Sequence, residues 1–402
     1  MQPSLSLQRE NHLLLTLAGI QFINILDFMI MMPLGPILMS SFDMNTHEFG
    51  LLVSSYSFSS ALSGLLAATF VDRFERKRLL LSVSILFGLS TLACGLAPGY
   101  STLIVARGLA GVFGGIMGAM VQTIVGDVIP FERRAHASGV VSTAFSISTV
   151  AGVPLSLWLA NHVGWRVPFI LIAGLAVLFV LIGLRILPEL RQHISTNRRD
   201  HPFAAMFTVL RDINHQHALL FSALIIFAGF TVIPYITLYA VSNVGISQHD
   251  IPFVYLAGGA VTLISARRIG RWADLHGKVK VYRLVAAAAL LPLFAVSQIG
   301  IVPLWLWLIC TTTFFVLVSG RMIPAMAIVT SAAQPKLRGT FMSLNATMQS
   351  FAMGLATTLS GFIITQDGAG KIVGYATVGY IAMTANVLAI LFVSRIVMHH
   401  QK

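Results

Sequence analysis

Twelve continuously apolar stretches, each near the length that crosses a bilayer, set the terms for any fold of this chain. They run over 12–39, 47–71, 79–97, 101–128, 135–160, 166–187, 217–242, 251–270, 280–299, 302–331, 338–365 and 371–396. About 20 apolar residues in a helix are needed to cross the hydrocarbon core. The stretches are unbroken rather than alternating, which predicts helices and excludes the strands of a barrel. Of 402 residues, 56% are hydrophobic and 10% charged, against about 25% charged in soluble domains. A water-soluble core has no room for this much apolar surface. The expected class is an all-α membrane protein with twelve transmembrane helices, and its first partner is the lipid bilayer.

The cations orient the chain. Of 26 Lys and Arg, two lie deep in spans, Arg107 and Arg321, and two on one set of loops, Arg166 and Lys371. The other 22 collect on the side of the termini. By the positive-inside rule both termini are expected in the cytoplasm, with the protein in an inner membrane. The net charge of +12 is therefore read as topology, and no nucleic-acid partner is expected. Cys94 and Cys310 sit in apolar runs with no metal spacing. The first run is too long for a cleaved signal core and is expected to be retained.

The chain also repeats itself. Asp72 closes span two before a basic turn containing Arg73, Arg76, Lys77 and Arg78. Asp274 follows Asp72 by 202 positions, flanked by Arg271 and Lys278. Pro33 and Pro234 lie 201 apart; Pro130-x-x-Arg133 and Pro335-x-x-Arg338 lie 205 apart. Three landmarks at nearly one offset predict a parallel repeat: two pseudo-symmetric six-helix bundles, 1–187 and 217–402, joined by a cytoplasmic linker at 188–216. A small-molecule site is then expected between the halves near the midplane.

These landmarks resemble the major facilitator superfamily over nearly the whole chain. The family pattern after span two has a Gly, three residues, Asp-Arg, one residue and a second Gly. Ala68-Thr69-Phe70-Val71-Asp72-Arg73-Phe74-Glu75 replaces both glycines, whereas the second copy keeps Gly270 and Gly277 around Asp274. Ala106-Arg107-Gly108 and Ala151-Gly152-Val153-Pro154 resemble the twelve-span drug/proton antiporter branch, although Leu155 and Ser156 depart from its glycine-rich continuation. The resemblance implies proton-coupled efflux without an enzymatic step or cofactor, and a role for Gly152 and Pro154 in limiting leak.

Several residues stand out on chemical grounds. Asp27 is the only acid deep inside a span, and an ionised carboxylate there costs at least about 2.5–3.5 kcal/mol unless partnered. Gln21, Asn24 and Asp27 share one helix stripe. Arg107 is expected at similar depth, a direct or water-bridged partner whose hold on the carboxylate competes with a proton. The offset-matched residues in the second half are Ala228 and Cys310, so this pair is not part of the repeat. Gln122, Tyr235, Tyr239, Asn345 and Gln349 are cavity candidates, with packing as the competing reading; Arg321, nearer the cytoplasmic side of span ten, reads equally as an anion-facing or a helix-packing residue. Gly111 and Gly115, four apart, predict close helix packing. Asp72, Arg73, Arg76, Asp274, Arg271 and Lys278 are expected to form a cytoplasmic gate.

Nucleotide-binding, zinc-protease and serine-hydrolase signatures are absent from the sequence. The expectation is a secondary transporter, a monomer, exporting a small molecule against protons. Uptake or facilitated diffusion of a metabolite or iron-carrier ligand is the alternative, and a receptor or membrane enzyme on this scaffold is disfavoured.

Overall fold

The computed structural model describes residues 7–71, 74–130, 133–190, 202–334 and 337–398. Twelve helical rods cross the molecule among these residues. Ten are long and apolar enough to span a membrane. The remaining two, Ile251–His276 and Arg338–Ile363, fall short in apolarity. Both are polar where they end or begin: Arg267, Arg268, Arg271 and Asp274 close the first, and Arg338 opens the second.

Helix is forced because lipid offers the backbone no hydrogen bonds, and side chains fix where each rod starts. Asn45 and Glu48 form a reciprocal capping box at the start of span two, Thr46–Phe70. Glu75 caps span three, Arg76–Gly95, and Asp212 caps span seven, which opens with Ile213–Phe230. Spans four and six are Tyr100–Val128 and Val167–Ile186. Glycine at φ +92 makes the turn at Gly277 between span eight, Ile251–His276, and span nine, Lys278–Ala288 continued by Leu290–Gln298.

Proline breaks the rods at matched places. Span one, expected as one run over 12–39, is Leu7–Ile30 and Gly35–Phe42, with turns around Pro33. Span seven, expected over 217–242, passes through a tight turn at Ile233–Tyr235 that contains Pro234. Each proline removes a backbone donor and crowds the carbonyl four residues back. Span five is Arg134–Ile147 and Val153–His162, joined by a wide π turn at Ser148–Gly152 that precedes Pro154. Span ten is Leu304–Gly320 and Met322–Ala332, interrupted at Arg321. Span eleven is Arg338–Ile363 and span twelve Tyr375–Phe392. Between them lies a short hairpin, β1 (Thr365–Gln366) against β2 (Ile372–Val373), which takes in the end of the run expected over 338–365 and the start of the one expected over 371–396.

Alternation of the rods places Leu7 and Ile396 on one face, called here the terminal face. Its ties repeat between the halves. Glu10 pairs with Arg133 at 3.0 Å, joining the starts of spans one and five. At the offset-matched place Asp212 accepts from Gln334 at 2.7 Å. On the far face the two halves are sewn together. Tyr235 donates to the Thr46 carbonyl at 3.1 Å, and Thr46 donates to the Ile364 carbonyl at 2.5 Å. Asn161 donates to the Gln248 carbonyl at 3.0 Å, and the rings of His162 and His249 lie 5.8 Å apart.

The seam between spans two and eleven continues through Phe58 against Phe351 and Leu65 against the core of the second half. The seam between spans five and eight holds to Thr149, whose carbonyl would lie 3.1 Å from a Cβ on Gly259. Beyond that point the exposed residues of Ile251–His276 multiply toward the terminal face. The molecule is thus closed at the far face and looser at the terminal one.

Candidate functional site

The site grows from the three helices that meet at Asp27. Span four carries Gly111, Gly114 and Gly115 along the side that faces span two. A Cβ on Gly111 would come within 2.8 Å of the Tyr56 Cα, and one on Gly115 within 2.6 Å of the Ser63 Oγ. Small residues therefore let the two backbones touch. That approach brings Tyr56 under Arg107, whose guanidinium carbon sits 4.7 Å from the ring centroid. Tyr56 in turn donates to Asn24 Oδ1 at 2.7 Å, and Asn24 donates to the Gly114 carbonyl at 3.2 Å. A Cβ on Gly114 would lie 2.7 Å from Asn24 Oδ1, so glycine is needed there as well.

Arg107 and Asp27 form a direct ion pair, Nη1 to Oδ2 at 2.6 Å, with the arginine 1% and the carboxylate 0% exposed. Arg107 also reaches the Asp27 backbone carbonyl at 3.4 Å. The bond is short and charge-assisted, the strong kind. It is also incomplete: Asp27 Oδ1 and Arg107 Nε have no hydrogen-bond partner among the described residues. A buried acceptor left open in this way is where a proton, a water or a ligand donor would be taken up. Phe28 sits beside the pair, 5.4 Å from the Tyr56 ring and 6.0 Å from the Phe230 ring of the opposite bundle. The site thus touches the seam between the halves.

The other sequence candidates distribute unevenly. Gln21, on the stripe with Asn24 and Asp27, is half-buried with its Oε1 unpartnered. Gln122 is exposed, toward the terminal-face end of span four. Tyr235 and Tyr239 are both buried and take different partners, so they do not line an open face together. Tyr235 is packed on Phe49 at the far-face seam, and Tyr239 donates to the Ile299 carbonyl at 2.8 Å while stacking on Tyr375. Asn345 is buried with Oδ1 unpartnered, and Gln349 donates to Ser222 Oγ at 2.8 Å.

Arg321 is fully buried between spans seven, nine, ten and twelve, away from Asp27. It donates to Asn386 Oδ1 and, at 3.3 Å, to the Ile225 carbonyl. No carboxylate pairs with it among the described residues, so its charge is met by amide and carbonyl dipoles.

At the terminal face only some of the residues expected to form a gate are described. Asp72 and Arg73 lie outside the described residues. Arg76 is buried, with Nε 3.1 Å from Asp127 Oδ2 and Nη1 donating to the Val71 carbonyl at 3.2 Å. Beside it Glu75 accepts from the backbone N–H groups of Lys77, Arg78 and Leu190 at 2.8–2.9 Å. Burial pushes the Glu75 carboxyl up, but these donors outweigh it and hold it below the usual carboxylate range. Asp212 is likewise held low: burial opposes, and the His215 and Asn214 N–H groups and Gln334 prevail. In the second half Asp274 and Arg271 are exposed and Lys278 half-buried, none in an ion pair among the described residues. Gly152 lets Leu26 approach to 2.8 Å of where a Cβ would be, and Pro154 follows the π turn.

Tyr56 is the participant that the sequence did not reveal. A tyrosine within an apolar run carries no mark of its own. Its signal is the row of glycines on span four, which announces that something bulky and close must fill the other side.

Comparison with known proteins places this chain in a family. The Major Facilitator Superfamily model matches residues 17–357. A probable sugar efflux transporter of Mannheimia succiniciproducens is 25% identical over 261 residues, which cover 65% of this chain and 64% of that protein, just under two thirds of its length. Multidrug resistance protein 2 of Bacillus subtilis is 23% identical over 371 residues, 89% of this chain and 90% of that one. Among solved structures, a D-xylose-proton symporter matches with a TM-score of 0.78 at 15% identity over 98% of both chains. A bacterial homologue of the human lysosomal transporter Spinster, inward-facing and unoccupied, matches at 0.73 and 16% identity, over 97% of this chain and 96% of the other.

Proposed function

This chain belongs to the Major Facilitator Superfamily and moves small molecules across a membrane, and we propose that it does so as a proton-coupled exporter, with Asp27 as the proton carrier. The observation that carries the proposal is the buried Asp27–Arg107 pair with one carboxylate oxygen left open. Nothing in the packing of a twelve-helix bundle needs that pair, since the second half has Ala228 and Cys310 at the matched places. The names of the efflux and multidrug relatives favour export over uptake.

In this reading the termini are cytoplasmic and the protein sits in an inner membrane. The far-face seam then seals the outside, and the molecule is open inward. The halves 1–187 and 217–402 rock about the seam as units of one monomer, joined by the linker at 188–216. The outward-open state forms when the Asn161–Gln248 and Tyr235–Thr46 contacts part. Asp72 and Asp274 then close the cytoplasmic face with the neighbouring cations. A proton entering from outside neutralises Asp27 and frees Arg107. Loss of that proton inside restores the pair seen here, and substrate occupies the site in the complementary half-cycle. Gln21, Gln122, Asn345 and Gln349 offer the solute hydrogen bonds as the bundles rock. Each proton supplies about 2.3 kcal/mol per 100 mV of membrane potential.

The test begins with a thermal-shift screen of purified protein at two pH values, with sugars and amphipathic cations as ligand panels. Ligands that stabilise the protein are then loaded into proteoliposomes, and a proton gradient of either direction is imposed. Efflux against entering protons is expected. Co-transport of solute and proton in one direction, or flux indifferent to the gradient, contradicts export.

A further inference from the structure

Span eight carries an open cleft on a side away from Asp27. Leu263, Ile264, Arg267, Arg268 and Arg271 line an open cavity of about 330 Å³. Leu263, Arg267 and Arg271 are spaced by four, as are Ile264 and Arg268, so apolar and cationic side chains stack one turn apart on one side of the helix. All five are exposed. Three guanidiniums within about a turn and a half of helix repel one another. None has an acidic partner among the described residues. Asp274, the nearest acid along the helix, is itself exposed and unpaired there.

The rest of the helix says which way this side points. Ile269 packs with Ala273, Val281 and Val285 in the core toward span nine, and Gly258 and Gly259 face Phe315 and Thr149. The remaining side is an exposed stripe: Phe253 at 53%, Leu256 at 43% and Ile264 at 59%, running without interruption into the arginines. At 1.5 Å per residue, Arg267 to Arg271 lie about 24–30 Å along the helix from Ile251, which is where a hydrocarbon core of about 30 Å ends. The stripe is apolar where acyl chains lie and cationic where headgroups begin. A loop marker of topology needs only charge near the turn; it does not need three planar, bidentate donors above an apolar cleft.

We propose that this cavity binds the headgroup of an anionic phospholipid, with the phosphate held by Arg267, Arg268 and Arg271 and the upper acyl chain lying on Leu263 and Ile264. The bound lipid neutralises the arginine cluster at the edge of span eight, beside the loosened half of the seam with span five.

The test is native mass spectrometry of the full-length protein, delipidated in detergent and titrated with phosphatidylglycerol or phosphatidylcholine. Wild type is expected to retain phosphatidylglycerol preferentially. The R267Q/R268Q/R271Q variant should lose that preference, and each single Gln variant should weaken it on the order of fivefold, the effect of one cation near an anionic surface. The charge-matched control K280Q/R283Q/R395Q should keep it. The single variants carry the test if the triple does not fold. Equal retention of both lipids by wild type, or a preference unchanged by the substitutions, overturns the proposal. Displacement of the lipid by millimolar inorganic phosphate also overturns it, because the cavity would then be a free-anion site.

Discussion

Removing either charge of the Asp27–Arg107 pair alone should cost far more than removing both. Asp27 and Arg107 are 0% and 1% exposed and 2.6 Å apart. Breaking a buried pair by deleting one partner costs about 3–5 kcal/mol, because the survivor is left charged and unpaired. In Asp27→Asn the amide oxygen still accepts from Arg107, and a hydrogen bond to a charged group returns about 1.5–3 kcal/mol. The net loss for that variant is then about 2 kcal/mol. Arg107→Met strands the carboxylate with no replacement donor, and its loss should lie near the upper end of the range.

The double variant D27N/R107M buries no charge. Replacing a whole buried pair with neutral groups is often close to neutral, so it should be more stable than Arg107→Met. With single losses of about 2 and about 5 kcal/mol and a double variant close to neutral, the cycle predicts a coupling of about 7 kcal/mol, on the order of 100,000-fold in the unfolding equilibrium. Reversible denaturation of purified protein in mixed micelles, for the four proteins side by side, gives the number. Additive losses, within about 0.5 kcal/mol, would show that the contact carries no energy and refute the reasoning.

Two further outcomes follow from the packing and the terminal-face network. Gly111→Ala should destabilise by about 1–3 kcal/mol, since its Cβ would press on the Tyr56 backbone and force spans two and four apart. Gly126→Ala, with nothing within 4 Å of the added atom, should not destabilise, and thermal unfolding in detergent compares the two. Glu75 is held below its unfolded value of about 4.3, so its contribution is full above that pH and is lost as pH falls through the lower folded value. Glu75→Gln should lower stability near neutrality and flatten the acid side of the stability curve between about pH 5 and pH 3. A variant curve parallel to wild type over that window contradicts the assignment.

The periodic and compositional features of the chain were legible because lipid imposes them. Twelve apolar runs, the repeat offset and the lone intramembrane acid all follow from what a bilayer tolerates. Asp27 and Arg107 were recognisable as partners from depth and from their absence in the second half. Their azimuth, and hence direct contact, depends on how spans one and four rotate, which no local pattern encodes. Pro33 and Pro234 were legible as landmarks of the repeat, but not as breaks in spans one and seven, nor that Tyr235 would lie in the far-face seam. Arg321 read equally as an anion-facing or a packing residue, because a sequence does not say what meets a buried cation. Here Asn386 and the Ile225 carbonyl meet it. Tyr56 was hidden because its role is defined by two other helices, spans one and four. The exposed side of span eight was hidden for a similar reason: arginines at 267, 268 and 271 look like topology until Ile269 and Ala273 are seen to point the other way.

The central claim is that the proton travels on Asp27. Its most direct test is solute flux in proteoliposomes carrying wild type or Asp27→Asn, each loaded with a ligand that stabilises both, under an imposed proton gradient and with a protonophore control. Wild type should drive solute against the entering protons and stop when the gradient is collapsed. The Asn variant should bind the ligand and exchange it down its own gradient, with no response to pH. Gradient-driven flux in the Asn variant equal to that of wild type would contradict the account.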